Sequence, residues 1–173
     1  ASTGALADTT KKGLPLEPSR WARFTTSTGT WISLDVSPDG QTIVFDLLGD
    51  LYTLPITGGK ATRLTHGIAH DIQPRFSPDG RKIVFVSDRS GDDNLWIVSG
   101  VGRDTLQLTT GVDVSYLSPE WVPDGQYIVV SKAAPFTGLE KLWLYHVKWG
   151  RGLPLVDGPP GLRMMGPTFG PDP

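Results

Sequence analysis

A turn-forming tetrapeptide recurs along the chain as Ser37-Pro38-Asp39-Gly40, Ser77-Pro78-Asp79-Gly80 and Val122-Pro123-Asp124-Gly125, with a broken last copy, Gly170-Pro171-Asp172-Pro173. The prolines of these copies lie 40, 45 and 48 residues apart. Periods of that size belong to propeller blades or to solenoid units, and the pattern inside each unit decides between them. Ser, Pro, Asp and Gly occupy the places that a type I turn prefers, Pro presetting φ at the second position and Gly tolerating left-handed geometry at the end. Each copy is therefore expected to join two antiparallel strands.

The flanking residues supply those strands. Before the turn stand Leu34-Asp35-Val36, Pro74-Arg75-Phe76, Pro119-Glu120-Trp121 and Pro167-Thr168-Phe169 in a common register, and a proline there fits a short innermost strand with a free edge. After the turn run Thr42-Ile43-Val44-Phe45, Lys82-Ile83-Val84-Phe85-Val86 and Tyr127-Ile128-Val129-Val130. These are β-forming and almost continuously apolar, as strands covered on both faces are. A third strand is expected at Leu51-Tyr52-Thr53-Leu54, Leu95-Trp96-Ile97-Val98 and Leu142-Trp143-Leu144-Tyr145. A fourth, shorter and more polar, falls at residues 61–65, 105–109 and 152–156, where the alternation fits an outer edge with one wet face. Four strands per unit, the middle ones buried on both sides, describe an all-β chain of β-propeller blades rather than a sandwich. The repeat covers about three blades and the start of a fourth, short of the four to eight that close a ring, so the expectation is a partial propeller over residues 21–173 behind an extended arm at residues 1–20.

Composition narrows the function classes. The chain has 21 Gly and 15 Pro among 173 residues, the balance of short strands and many tight turns. A formal net charge of −2 offers no bulk field for nucleic acid or an anionic membrane. No Cys is present, which removes disulfides, thiolate metal sites and thiol nucleophiles together. No stretch reaches the roughly 18 apolar residues of a membrane span. The first ten residues lack the basic-then-apolar order of a signal peptide, and a start in small polar residues reads as a mature end left after export.

The repeats resemble the TolB-like WD40 units, the PD40 blades, found in TolB proteins, in tricorn-type and prolyl-oligopeptidase-type peptidases, and ahead of amidohydrolase domains. The likeness is greatest to the last group, in residues 29–40, 49–55 and 138–146. It implies a periplasmic or secreted bacterial protein whose propeller shields, filters or docks substrates for a catalytic domain elsewhere in the chain, with no chemistry in the blades themselves. The His-x-His segment of amidohydrolases is not among these residues. In such propellers an N-terminal strand often completes the final blade, and Trp21-Ala22-Arg23-Phe24-Thr25-Thr26 is patterned for that. The partner implied is protein: the remainder of the same polypeptide, or a larger envelope or membrane complex.

Each candidate site has a plainer structural role to set beside it. His66 and His70 have the spacing of a helical metal pair, but a Gly-containing crossover is no helix. Asp88-Arg89-Ser90-Gly91-Asp92-Asp93-Asn94 places oxygens at alternate positions, yet lacks the glycine at position six and the closing glutamate of a calcium loop, so a hairpin turn is expected. Asp35, Asp71, Glu120 and Asp124 offer carboxylates for a dyad, though acids near strand ends commonly bind turn backbone. Trp31, Trp96, Trp121, Trp143 and Trp149 could form a stacking platform, but three of them sit at repeat positions that pack between blades. Ala133-Ala134-Pro135-Phe136 and Pro159-Pro160-Gly161 read as rim loops where a partner would touch. No catalytic, cofactor-binding or metal-ligating residue is assigned.

Overall fold

A computed structural model describes residues 20, 22–133, 139–156, 158–159 and 161–170. Residues 1–19 of the arm expected at 1–20, Trp21, the rim residues 134–138 and the end of the last tetrapeptide lie outside them.

Among the described residues, twelve strands form three antiparallel four-stranded sheets in simple up-and-down order. Blade 1 is β1 (Leu34–Val36), β2 (Thr42–Leu47), β3 (Asp50–Pro55) and β4 (Thr62–Arg63). Blade 2 is β5 (Asp71–Phe76), β6 (Lys82–Ser87), β7 (Asn94–Ser99) and β8 (Leu106–Gln107). Blade 3 is β9 (Ser115–Trp121), β10 (Tyr127–Ala133), β11 (Glu140–His146) and β12 (Gly152–Pro154). The first strands of successive blades touch one another, whereas β4, β8 and β12 touch only their own blades. The first strands are therefore innermost and the fourth strands outermost, as the pattern required.

The repeated tetrapeptides make the turns expected of them. Gly40 N donates to Ser37 O and Gly80 N to Ser77 O, both at 2.8 Å, and the glycines at 40, 80 and 125 have φ of 69°, 69° and 68°. Within each of the first two turns the serine hydroxyl donates to the aspartate (2.6 Å) and accepts the N–H of the residue five positions on (2.9 Å). The hydroxyl, with the backbone N–H of Gln41 or Arg81, lowers the pKa of Asp39 and Asp79 below the ordinary carboxylate value. Val122 replaces the serine in the third turn, where Asp124 keeps only the N–H of Gln126.

β6 shows why the post-turn strands are apolar without alternation. Ile83 and Phe85 pack toward blade 1 with Val44, Leu51, Leu64, Phe76 and Val98. Val84 and Val86 face the other way, into a cluster with Tyr116, Trp121, Ile128, Val130 and Tyr145 of blade 3. A blade between two others thus has no wet face along its middle strands. The outward faces of the first and last blades differ: Leu34, Val36, Leu153, Leu155 and Phe169 are exposed, so the sheet stack is open at both ends.

Two details depart from the sequence reading. Pro167-Thr168-Phe169 is not a strand, no further strand lying beside it among the described residues, and residues 22–26 form no strand either. The prolines of the inner strands do not simply free an edge. Gln73 and Pro74 together oppose Phe85, and Ser118 and Pro119 oppose Val130, so β5 and β9 each carry a two-against-one bulge.

The close approach between blades rests on glycine. Gly102 (φ 75°) and Gly150 (φ 62°), in the loops between third and fourth strands, sit against the carbonyls of Leu64 and Leu108 on the preceding blade. The two-residue hairpin between β2 and β3 places Leu48 at φ 54° and Gly49 at φ 83°, a type I′ geometry that disfavours leucine. Leu48→Asn is therefore expected to raise stability by about 1 kcal/mol. Gly150→Ala, whose Cβ would press on the Leu108 carbonyl, is expected to lower it by more than about 1 kcal/mol. Denaturant unfolding of the two variants checks both signs.

Candidate functional site

The polar residues of interest gather where the inner strands of neighbouring blades meet. The residue before the proline of β5, of β9 and of the corresponding non-strand segment of the fourth repeat takes the left-handed conformation: Gln73 (φ 56°), Ser118 (φ 52°) and Gly166 (φ 63°). In β5 and β9 this turns the N–H out of the blade's own ladder, and each of the three N–H groups is taken up by a side chain of the blade before. Gln73 N donates to Asp46 Oδ2 of β2 (2.8 Å), Ser118 N to Gln73 Oε1 (2.7 Å), and Gly166 N to Ser131 Oγ of β10 (3.1 Å). Asp46 and Ser131 occupy the same blade position, pairing with Leu51 and Leu142 respectively. Blade 2 has Val86 there, which accepts nothing, and Gln73 supplies the acceptor instead. Asp46 also accepts Ser33 N through Oδ1 (3.0 Å), so one buried carboxylate joins two inner strands.

Next to these bonds lies a row of charges. Asp35, Arg75 and Glu120 occupy one register position, pairing with Val44, Val84 and Val129. Asp35 Oδ2 accepts Phe76 N of the next blade (2.7 Å). Arg75 donates to the carbonyl of Leu34 (3.2 Å) and lies 3.6 Å from Glu120. Trp121 Nε1 donates back to Arg75 O (3.1 Å). Glu120 also accepts Trp121 N at 3.2 Å. Its burial pushes its pKa up, Arg75 and the Trp121 N–H opposing and Asp35 adding slightly.

The start of the fourth repeat is fastened in the same region. Arg163 forms a two-pronged bond to Glu140, 2.6 Å on each oxygen, and Met164 N donates to Glu140 O at 2.8 Å. Arg163 in turn lowers the pKa of Glu140.

The other candidate residues separate into structural roles. His70 N donates to Asp88 Oδ1 (2.7 Å) in the β4–β5 crossover. The Asp88–Asn94 segment is a hairpin turn closed by Gly91 N on Asp88 O (2.8 Å). Asn94 clamps the following crossover by accepting from the Thr109 hydroxyl (2.8 Å) and Gly111 N (2.7 Å). Among the described residues no group of three or more His, Asp or Glu could hold a metal ion. Asp71 is tied to Arg89 (2.5 Å) and Asp124 to Gln126 N, so the four acids considered for a dyad are dispersed over backbone and arginine partners. Trp121 is buried, Trp96 and Trp143 pack against the two apolar clusters, and Trp31 and Trp149 are exposed. Two clefts separate the repeated turns, about 790 Å³ between blades 1 and 2 and about 370 Å³ between blades 2 and 3.

Comparison with known proteins agrees with this geometry. The model of the tricorn protease N-terminal β-propeller domain matches residues 35–156. The chain belongs to this family. A tricorn protease homologue of Streptomyces coelicolor is 28% identical over 131 residues, which are 76% of this chain and 12% of that protein. An uncharacterized protein of Agrobacterium fabrum is 37% identical over 91 residues, 50% of this chain and 29% of that one. The solved structure of a putative TolB from Agrobacterium tumefaciens superposes with a TM-score of 0.66 at 26% identity, covering 75% of this chain and 50% of that one. The chain thus spans less than a third of the curated relatives' lengths, and the three tricorn-type blades match half of a TolB-like structure.

No proline pattern announced that side chains of one blade would receive the N–H groups of the next. The available signal was the pair of polar residues, Asp46 and Ser131, inside otherwise apolar strands. Substitutions at three positions probe this region. Asp46→Asn, whose amide can accept from only one of the two N–H groups, is expected to cost about 2 kcal/mol. Gln73→Ala is expected to cost about 1–2 kcal/mol, with Gln73→Glu restoring most of it. Because Glu120 has a raised pKa in the fold, its contribution is most favourable at acid pH and is lost as pH rises through the folded value. Glu120→Gln is therefore expected to match or exceed the parent by up to about 1 kcal/mol at neutral pH. That gain should vanish at about pH 4, as thermal melts across the pH range would show.

Proposed function

We propose that this tricorn-type propeller segment is a non-catalytic scaffold of an exported bacterial protein, periplasmic or secreted, that docks or filters substrates for a hydrolase domain in the same polypeptide. The observation that carries the reading is the use made of its polar groups. The inner-rim carboxylates Asp35, Asp46 and Glu120 are committed to N–H groups and Arg75 at the blade joints, the duty of a scaffold rather than of acid–base chemistry. The open apolar faces of blades 1 and 3 call for more blades or another protein against them. The exported location rests on the resemblance to TolB-like proteins.

Two identities of the linked hydrolase follow from different observations. The resemblance of the first and third blades favours a metal-dependent amidohydrolase. The match to a tricorn protease homologue favours a peptidase with a Ser/His/Asp centre. A reading of another class, an extrinsic subunit that lays its open faces on a larger envelope complex, draws on the same exposed residues.

Intact-mass measurement of the native protein, followed by sequencing beyond residue 173, distinguishes them. The expected result is a mass far above 18.7 kDa, with either a His-x-His metal segment or a catalytic serine downstream. A native mass near 18.7 kDa would overturn the hydrolase linkage and leave the extrinsic subunit.

A further inference from the structure

Among the described residues, the ion pairs all belong to arginine: Arg63 with Asp50, Arg75 with Glu120, Arg89 with Asp71 and Arg163 with Glu140. Lys132 and Lys141 of blade 3 enter none of them, although both are half-buried. The two lysines stand directly opposite each other, Lys132 on β10 against Lys141 on β11. Opposed residues of an antiparallel pair share one face of the sheet, their Cβ atoms about 5 Å apart, and like charges placed so repel.

That face is the one turned toward blade 2. Val130 and Trp143 pair one step further along it and meet the apolar cluster that holds Val84, Val86 and Leu95 of blade 2. Lys132 lies over aromatic rings, its Nζ 4.2 Å from the centroid of Trp143 and 5.7 Å from that of Tyr116, its partner on β9. It has no hydrogen bond or ion pair with a described residue, and Lys141 has neither of these nor a ring contact. Glu140, next to Lys141 in sequence, does not compensate. Successive strand residues point to opposite faces, and both oxygens of the Glu140 carboxylate are bound by Arg163 at 2.6 Å.

The rings offset part of the cost of one charge, but two ammonium groups in register, drawn partly out of water, remain unmatched. An anion shared between them removes the repulsion. Two single charges on flexible stems match two carboxylates, or one that bridges them. The half-buried ring of Trp143 also offers apolar surface to the methylenes of an acidic side chain, which an inorganic anion would leave uncovered.

We propose that Lys132 and Lys141 form a docking point on blade 3 for an acidic protein segment, whose carboxylates supply the counter-charge that the described residues do not. The docking point holds whichever domain or complex the propeller serves, so it stands or falls apart from the hydrolase linkage.

The test titrates a hexaglutamate peptide, and separately inorganic phosphate, into the full-length protein, with calorimetry for affinity and NMR of the lysine side chains for location. The peptide is expected to bind, to shift the Lys132 and Lys141 signals, and to weaken as salt is raised. Lys132→Gln and Lys141→Gln should each weaken it by about tenfold. Lys141→Glu should abolish binding yet raise the melting temperature of the free protein, because an attracting pair replaces a repelling one. A lysine with a purely structural role would not give those opposite signs. The proposal is overturned if the peptide leaves the two signals unmoved, or if the Lys132→Gln/Lys141→Gln double variant binds it as tightly as the parent. It is equally overturned if phosphate binds the pair as tightly as the peptide does, the behaviour of a small-anion site.

Discussion

The structure depends on how one awkward backbone group is satisfied at every blade joint. A left-handed residue before an inner-strand proline cannot donate to its own sheet, and in a buried joint an unpaired N–H is costly. Passing that N–H to a side chain of the preceding blade resolves the cost and also fixes the blades' relative position. Asp46, Gln73 and Ser131 do this in turn. Their chemistry differs, a carboxylate, an amide and a hydroxyl, while the geometry repeats. The constraint is thus on the acceptor's location rather than on residue type, which explains why the repeats tolerate divergence elsewhere.

The apolar packing supplies most of the cohesion and the polar joints supply its precision. Alternate residues of β6 enter two different clusters, so blade 2 is a shared wall rather than an independent core. Each blade buries its faces only against neighbours, the nearest-neighbour economy of repeat architectures. Where a neighbour is lacking, the same residue types stand exposed, as Leu34 and Val36 do on blade 1. The fourth repeat shows the dependence from the other side. Residues 161–170 have acquired the docking contacts of an inner strand, through Arg163, Met164 and Gly166, without becoming one.

Much of this was legible in the sequence because turns and strands are local. The recurring Pro-Asp-Gly and the runs after it specified four-stranded units, and residues such as Phe85 and Trp121 could be placed in blade interiors from register alone. The outer strands are shorter than the alternation implied, β4 and β8 being two residues each, because an outermost strand has a ladder partner on only one side. The joints were not legible. Which blade accepts the N–H of Gln73 or Ser118 depends on contacts 27 and 45 residues away in sequence, and no local pattern encodes such a separation. The prolines of β5 and β9 fit a free edge by local rule, whereas each marks a bulge. His66, His70 and the Asp88–Asn94 segment were rightly expected in loops, but their gathering around the blade 1–blade 2 seam emerges only in three dimensions.

Amide hydrogen exchange at three residues bears most directly on this account. Gln73 and Ser118 lie in bulges, where backbone pairing alone would leave their N–H groups to solvent, and Gly166 lies outside any strand. If side chains of the preceding blade hold these groups, Gln73 and Ser118 will exchange as slowly as the ladder amides of β6 and β10, and Gly166 more slowly than its neighbours. Exchange of all three at the rate of the exposed turn amides would contradict the claim that these bonds join the blades.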